Sequence, residues 1–276
     1  MCRSGICVIE SGTCGDGTCD ANEDCSCPDC EGQRDGCGVG YVCSSGSCTP
    51  VNECTEAAPI QCEHPGTAPV AITGQTVIST PGNYVLNSNF LNQNPTSGCN
   101  GDGGNCVFIL FSSGASDSTL DCQGHTIDGT DDSGWPYRGG IKIRDATCVL
   151  IKNCVLTGWY DAVTIGPGAD GTTFEDNNAN SNTNCGFRNW SAEDGADGVV
   201  FTNNAANGNK LGFCAYYGSC ATFQGNTACG NWVDNPDSGF YCNSNMHIDA
   251  GGNTCEPSPG TQCSGSVVCN PGCPAG

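Results

Sequence analysis

Short runs of alternating apolar and polar residues recur six times between Cys106 and Cys255, and Gly, Asp, Ser and Asn separate them. Each repeat carries one apolar anchor in its second run. The anchors are Leu120, Ile151, Phe174, Phe201, Phe223 and Ile248. Their separations of 31, 23, 27, 22 and 25 residues match the period of a solenoid. Because the runs are too short for helices, the pattern predicts coils of β-strand that stack on one another, about six in number.

Three segments resemble a known fold family. They read ISTPGNYVLNSNF (78 to 90), STLDCQGHTIDG (118 to 129) and GIKI (140 to 143). They are similar to the entry of a right-handed parallel β-helix of the pectate-lyase-like superfamily, over about residues 70 to 255. The resemblance implies an all-β fold and a structural role for His125. It does not imply an activity, because this fold carries lyases, hydrolases, adhesins and inert surface rods.

Cysteine content divides the chain. Residues 1–62 hold 12 of the 26 cysteines and are predicted to form disulfide-stapled, loop-dominated modules. Residues 63–105 are predicted to be a linker and N-terminal cap, 106–255 the β-helix, and 256–276 a Cys- and Pro-rich C-terminal cap. The segment from Cys2 to Cys7 matches the half-repeat from Cys43 to Cys48, so we expect the natural chain to begin upstream of Met1.

Composition narrows the function classes. The 276 residues include 8 Lys and Arg against 29 Asp and Glu, giving a formal net charge of −21. This charge argues against a nucleic-acid partner. An even and high number of cysteines indicates an oxidising compartment, and hence an extracellular or cell-surface location. The sequence contains no apolar run of about 18 residues that would predict a membrane span.

The N-terminal region contains a candidate metal site. Residues 14 to 30 read CGDGTCDANEDCSCPDC and resemble CGDGxC-type Cys-rich repeats of secreted microbial proteins. Clustered carboxylates on a tight loop suit calcium. The candidate ligands are Asp16, Asp20, Glu23, Asp24 and Asp29. A solvated acidic face, or a zinc site at Cys25, Cys27 and Cys30, are the alternatives.

Strand alternation also predicts an outward face that combines cations and aromatic residues. Its members are Lys142, Arg144, Arg188, Trp190, Tyr216 and Tyr241. Such a face suits a protein interface or a glycan. The third interpretation is that the aromatic pairs only stiffen the sheet.

The repeat register predicts features at the turns. Five asparagines follow the anchors and are expected to stack along the axis: Asn153, Asn177, Asn203, Asn204 and Asn226. Predicted disulfides are Cys122 with Cys154, Cys229 with Cys255, and Cys99 with Cys106. Cys148 and Cys220, three coils apart, are not expected to pair. Asn189 begins an Asn-Trp-Ser motif, a candidate glycosylation site on an exposed strand.

Candidate catalytic groups are few. Pectin-degrading enzymes of this fold use clustered carboxylates, or calcium with an Arg or Lys base. Residues of those types occur together at Asp128, Asp131, Asp132, Lys142 and Arg144. The ordered set of motifs that marks the hydrolases is absent from the sequence. No organic cofactor is predicted.

These features together predict an extracellular structural or cell-surface protein. The specific prediction is a self-assembling filament subunit. Its expected partner is a second copy of the chain or another surface protein. The alternative is a polysaccharide lyase or hydrolase, or a glycan-binding module without catalysis.

Overall fold

The chain folds as two compact units, residues 1–56 and 57–276. The computed structural model describes residues 60, 62–95, 106–130, 138–189, 196–215, 221–231, 247–255 and 273, together with the backbone of six further strands. These are Cys2–Arg3, Ile6–Cys7, Tyr41–Ser44, Ser47–Pro50, Phe240–Cys242 and Asn270–Pro271. The division lies before the boundary predicted at residue 62, because Ile60 and Cys62 contact the second unit.

The first unit contains two antiparallel hairpins. Strand β1 (Cys2–Arg3) pairs with β2 (Ile6–Cys7), and β3 (Tyr41–Ser44) pairs with β4 (Ser47–Pro50). Cys2 lies opposite Cys7 in the first hairpin, as Cys43 lies opposite Cys48 in the second. The two segments that match in sequence therefore share one backbone arrangement.

The second unit is built from short strands. Its first half contains β5 (Val70–Ile72), β6 (Thr76–Ile78), β7 (Asn83–Leu86), β8 (Phe90–Gln93), β9 (Cys106–Phe111), β10 (Thr119–Asp121), β11 (Thr126–Gly129), β12 (Arg138–Ile143), β13 (Leu150–Lys152), β14 (Val155–Thr157) and β15 (Asp161–Ile165). Its second half contains β16 (Thr173–Glu175), β17 (Asn178–Ala179), β18 (Cys185–Asn189), β19 (Val199–Thr202), β20 (Leu211–Ala215), β21 (Ala221–Gln224), β22 (Thr227–Ala228), β23 (Phe240–Cys242), β24 (His247–Gly251), β25 (Thr254–Cys255) and β26 (Asn270–Pro271).

These strands form three parallel sheets that the chain visits in a fixed cycle. Sheet A follows the order β5-β7-β10-β13-β16-β19-β21-β24, and sheet B the order β6-β9-β12-β15-β18-β20-β23. Sheet C runs β8-β11-β14-β17 and continues through bridges at Ala205 to β22-β25-β26. Each coil adds one strand to sheet A, then C, then B. This is the topology of a parallel β-helix, and the predicted all-β fold class is confirmed.

The predicted anchors form the inner column of sheet A. Leu120 pairs with Ile151, Ile151 with Phe174, Phe174 with Phe201, and Phe201 with Phe223. The last anchor was placed wrongly, because Phe223 pairs with Asp249 while Ile248 pairs with Thr222 and is 40% exposed. A shift in register after Phe223 accompanies this change.

Large and small residues alternate between sheets inside the coils. Phe174, Phe201 and Phe223 of sheet A stack with ring centroids 5.2 and 5.1 Å apart, and Phe187 stacks on Phe213 of sheet B at 5.0 Å. Sheet C contributes small buried side chains to the same coils, Ala179, Ala206 and Ala228. Because interiors fill at crystal-like density, these alanines leave the space that the phenylalanine rings occupy.

The turn from sheet A to sheet C repeats two adjacent columns of residues. The first column adopts the left-handed conformation, with φ of 55° at Asn153, 54° at Asp176 and 56° at Asn203. The second column is a ladder of buried asparagines: Asn177, Asn204, Asn226 and Asn253. Two of the five predicted stacking residues, Asn153 and Asn203, therefore lie one position before the ladder. Asn and Asp tolerate the left-handed region better than most residues, which accounts for the first column.

Each ladder asparagine bonds to the next coil. The amide N–H of Asn177 donates to Oδ1 of Asn204 at 3.0 Å, and its Nδ2 donates to the same oxygen at 2.9 Å. The contact recurs from Asn204 to Asn226 and from Asn226 to Asn253. At the other end, the N–H of Cys154 donates to Oδ1 of Asn177. The ladder thus satisfies buried backbone groups that no strand pairing reaches.

The segment before β5 lies along the corner between sheets B and A. His64 Nδ1 lies 3.1 Å from the carbonyl oxygen of Asp117, and Cys62 is disulfide-bonded to Cys148. Further back, Ile60 packs on Gly171, where an added Cβ would lie 3.0 Å from Ile60 Cγ2. The segment that contains Ile60, Cys62 and His64 is therefore a strap that follows the axis across several coils.

Candidate functional site

The predicted outward face lies on sheet B. Its register aligns Lys142, Thr164, Arg188, Cys214 and Tyr241 in one column. Trp190 and Tyr216 lie outside the described residues, and only the backbone of Tyr241 is described. Two of the predicted cations, Lys142 and Arg188, therefore lie in one column of sheet B. The side chains of the predicted aromatic members lie outside the described residues.

Arg188 does not present its charge freely to solvent. Its Nη1 donates to Oδ2 of Asp161 at 2.8 Å, and the two side chains are 18% and 8% exposed. Asp161 Oδ1 accepts from Asn184 Nδ2 at 2.7 Å and from the N–H of Cys185 at 3.1 Å. Arg188 lies on the predicted outward face, but its guanidinium is held in a largely buried polar cluster and not extended into solvent.

The disulfide between Cys185 and Cys214 adjoins this cluster. Cys185, Cys214 and Leu211 form a small buried apolar group separate from the main core. Alternation alone gave no reason to pair these cysteines or to link Asp161 with Arg188. Their proximity follows from the coil register, which brings residues 27 and 29 positions apart onto neighbouring strands.

The remaining cations of the face lie near its N-terminal half. Lys142 is partly buried on β12, and Arg144 Nε lies 3.3 Å from Asp145 Oδ2 with both side chains well exposed. An ion pair of this kind contributes little to stability. Solvent reaches both of these positions on the sheet B face.

The candidate catalytic residues divide between two sheets. Asp128 lies on β11 of sheet C, where its Oδ2 accepts a hydrogen bond from the N–H of Asn92 at 3.3 Å. Lys142 lies on β12 of sheet B, and Arg144 follows that strand. Asp131 and Asp132 lie outside the described residues. The described members therefore face outward from different sides of the coil.

Metal ligands were predicted at Asp16, Asp20, Glu23, Asp24 and Asp29, all outside the described residues. Within the described part of the chain, no group of three or more His, Cys, Asp or Glu side chains is arranged to hold a metal ion. The calcium site in the first unit stays a prediction.

An open groove follows the corner between sheets A and C. Its lining includes Asp121, Gln123, Asn153, Asp176 and Asn178. Asp121 Oδ1 accepts from the N–H of Gln123 at 2.9 Å and from Asn153 Nδ2 at 3.0 Å, and Lys152 Nζ lies 3.6 Å from its Oδ2. Burial raises the pKa of Asp121, but these hydrogen bonds and the Lys152 charge outweigh it, so the pKa lies below 3.8.

Disulfides connect the coils to one another and to both flanking segments. Cys122 bonds to Cys154 in the adjacent coil, the pairing that the anchor register predicts. Cys229 bonds to Cys273, so the predicted Cys229–Cys255 bond is wrong; the C-terminal segment returns to the coils. Cys106 and Cys255 are also disulfide-bonded, and Cys99 lies outside the described residues. Cys148 pairs with Cys62 of the strap.

The candidate glycosylation site is buried. Asn189 is 1% exposed and its Nδ2 donates to the carbonyl oxygen of Ala196 at 3.3 Å. It lies in the inner column of sheet B, between Ile165 and Ala215. The prediction that it lies exposed is wrong, since alternation with outward Arg188 directs its side chain inward.

His125 has a structural contact, since its Nδ1 lies 3.2 Å from Asn89 Oδ1 in the preceding coil. In the described part of the chain, no helix is long and apolar enough to cross a membrane. The chain matches no protein family model, no curated protein and no solved structure at a significant level.

Proposed function

We propose that this protein is an extracellular structural subunit that assembles with copies of itself into filaments. The observation that carries the proposal is the reinforcement of the coils along their axis. An asparagine ladder, stacked phenylalanine rings and inter-coil disulfides all join one coil to the next. Such reinforcement suits a filament subunit that must resist tension along the axis of its coils.

The disulfides support the extracellular part of the proposal. All ten cysteines whose side chains are described are disulfide-bonded. Bonds of this density form and persist in an oxidising environment. A surface filament works in that environment and gains resistance to unfolding from the cross-links.

The net charge of each copy determines the ionic strength at which copies can associate. A formal charge of −21 on each copy opposes close packing at low ionic strength. At about 0.15 M salt the screening length is about 8 Å, so repulsion between copies falls. We expect assembly to require salt or divalent cations.

Electron microscopy and sedimentation of the purified, unreduced full chain test the proposal. Filaments with a regular axial repeat are expected near 0.15 M salt, with fewer at low salt. Dispersed single particles at every salt and protein concentration would contradict the proposal.

Glycan binding is the second candidate, and the open groove favours it. Gln123, Asp176 and Asn178 are exposed there and offer carboxamide and carboxylate groups to sugar hydroxyls. A glycan array with the wild type and with Asp176→Ala tests it. Binding that the substitution weakens would support this candidate, and an absence of binding would end it. Cleavage of polyuronides, abolished by Asp131→Asn with Asp132→Asn, would instead support the enzyme alternative, a lyase or hydrolase of the pectate-lyase-like kind.

A further inference from the structure

The N-terminal end of the coils exposes one large apolar side chain on each sheet. Among the described strands, sheets A, B and C end there in β5, β6 and β8. Val70 on β5 is 55% exposed, Val77 on β6 is 57% exposed and Leu91 on β8 is 56% exposed. Most other large apolar side chains of the described coils are buried. The apolar surface at this end is therefore distributed over all three sheet edges.

The segment that contains these three strands has no charged side chain. Residues 65–101 contain no Asp, Glu, Lys, Arg or His, although the chain as a whole has 29 acidic and 8 basic residues. Edge strands that must stay unpaired are commonly protected by charged side chains, Lys above all. Such protection is missing from the sequence of β5, β6 and β8, which suits edges that pair with another chain.

The opposite end is a suitable partner. There the sheets end, among the described strands, in β24, β23 and β26, which run in the same direction as the strands of the N-terminal edges. Ile248 on β24 is 40% exposed, and residues 257–276 contain no charged side chain. Asp249 on β24 is half-buried, and its Oδ1 accepts hydrogen bonds from the N–H of Gly251 and from Nδ2 of Asn253 in its own coil. Residues 65–101 contain no acidic side chain that would repel it.

Because the strands are parallel, they fix the orientation in which two copies can meet. A second copy displaced along the axis presents its C-terminal edges to the N-terminal edges with the same chain direction and the same cycle of sheets. Strand pairing then continues at the usual spacing of about 4.8 Å. A head-to-tail contact without rotational closure propagates into an open filament. Two N-terminal ends in contact would give a closed pair instead.

We infer that the end formed by β5, β6 and β8, which exposes Val70, Val77 and Leu91, binds the C-terminal end of a second copy. This inference rests on the proposed filament function and identifies the contact that builds the filament. The N-terminal end supplies three backbone edges and an uncharged apolar surface, and the bound copy extends each sheet.

The test places lysine on this surface. Val77→Lys combined with Leu91→Lys adds two charges to exposed positions, so the fold should be retained, as circular dichroism and thermal unfolding will show. The matched control is Val200→Lys, a half-buried outward position in the middle of sheet A. Sedimentation should show at least a tenfold loss of filaments in the double variant and little change in the control.

A mixing experiment tests the direction of the contact. The double variant retains an intact C-terminal end, so it should add to one end of a wild-type filament and stop growth there. One part of variant to ten of wild type should shorten the filaments in electron micrographs, while Val200→Lys should not.

The outcomes separate the two proposals. A wild type without filaments contradicts the filament function itself. Wild-type filaments that persist in the double variant, or that are lost equally in Val200→Lys, overturn the docking surface while the filament function stands. Loss of filaments in the double variant without shortening in the mixture overturns the head-to-tail direction.

Discussion

Asp161 and Arg188 form an ion pair at 2.8 Å on adjacent coils, although strand alternation places Arg188 on the outer face of sheet B. Both side chains are largely removed from solvent, and the carboxylate also accepts two N–H groups. A buried pair of this kind is costly to break from one side, because the remaining charge stays desolvated.

Replacing one partner of this pair should therefore destabilise the coils. Asp161→Asn leaves the guanidinium without its carboxylate, and we expect a loss of about 3 kcal/mol in the free energy of unfolding. Chemical denaturation of the unreduced protein measures it. The control, Asp145→Asn, removes an exposed partner of Arg144 and should change stability by less than about 0.5 kcal/mol. Equal effects of the two substitutions would show that Asp161 and Arg188 are not coupled.

The asparagine ladder makes a second prediction at Asn204. Its Nδ2 donates to the carbonyl oxygen of Phe174 at 2.9 Å, and its Oδ1 accepts from the backbone N–H of Asn177 at 3.0 Å. Asn204→Ala leaves both groups buried without these partners, at about 1 to 3 kcal/mol for each unsatisfied group. We expect a loss of about 3 kcal/mol in the free energy of unfolding.

The control for Asn204 is Asn178→Ala, since Asn178 is exposed on sheet C. Surface substitutions of this type change stability by about 0.5 kcal/mol or less. Thermal unfolding followed by circular dichroism compares the two variants. A similar melting temperature for both would mean that the ladder contributes no more than a surface asparagine.

Alternation predicted the coils well because a residue's face depends only on its position in the strand. The inner columns from Leu120 to Phe223 follow that rule. The rule failed at the last anchor, because Asp249, and not Ile248, lies opposite Phe223. The apolar residue at position 248 was the natural choice from the sequence, since a polar residue at an inner position breaks the pattern of the earlier coils.

Partners that cross between coils were harder to predict. Alternation states that Arg188 faces outward but not that Asp161, at the start of the preceding coil's strand, reaches it. The Cys62–Cys148 bond depends on the path of the strap, which is not part of the repeat and spans a separation of 86 residues. By contrast, Cys122 and Cys154 occupy matching places in adjacent repeats, where the period alone brings them together.

The lowered pKa of Asp121 predicts how the stability of the coils changes at acidic pH. Its folded-state pKa lies below the unfolded value of 3.8, so ionised Asp121 stabilises the coils above that pH. This contribution is lost as the pH falls from 3.8 through the folded-state pKa. The wild type should therefore lose stability in this range more steeply than Asp121→Asn, which has no proton to gain there.

Unfolding by urea at a series of acidic pH values compares the two slopes. Gln123→Asn is the matched control, because the contact with Asp121 uses the backbone N–H of residue 123 and the substitution retains it. Identical slopes for the wild type and Asp121→Asn would contradict the role of this carboxylate.

The last prediction concerns calcium and the first unit. Asp16, Asp20, Glu23, Asp24 and Asp29 lie within 14 residues that also carry three cysteines, Cys19, Cys25 and Cys27, and Cys30 follows directly. Calcium bound only to the folded state stabilises by about 2.7 kcal/mol at a concentration one hundred times its dissociation constant. Calcium should therefore raise the melting temperature of the full chain, and a chelator should reverse the change.

Substitution identifies the ligands. Asp16→Asn with Asp20→Asn should abolish the calcium-dependent shift, while Asp176→Asn, an exposed carboxylate of the second unit, should retain it. Isothermal titration with calcium chloride measures binding directly in the same proteins. Because bound cations would also reduce the repulsion between copies at a net charge of −21, the chelator should lower the amount of filament as well. A melting temperature and a heat of titration that do not respond to calcium would show that these carboxylates form a solvated acidic face.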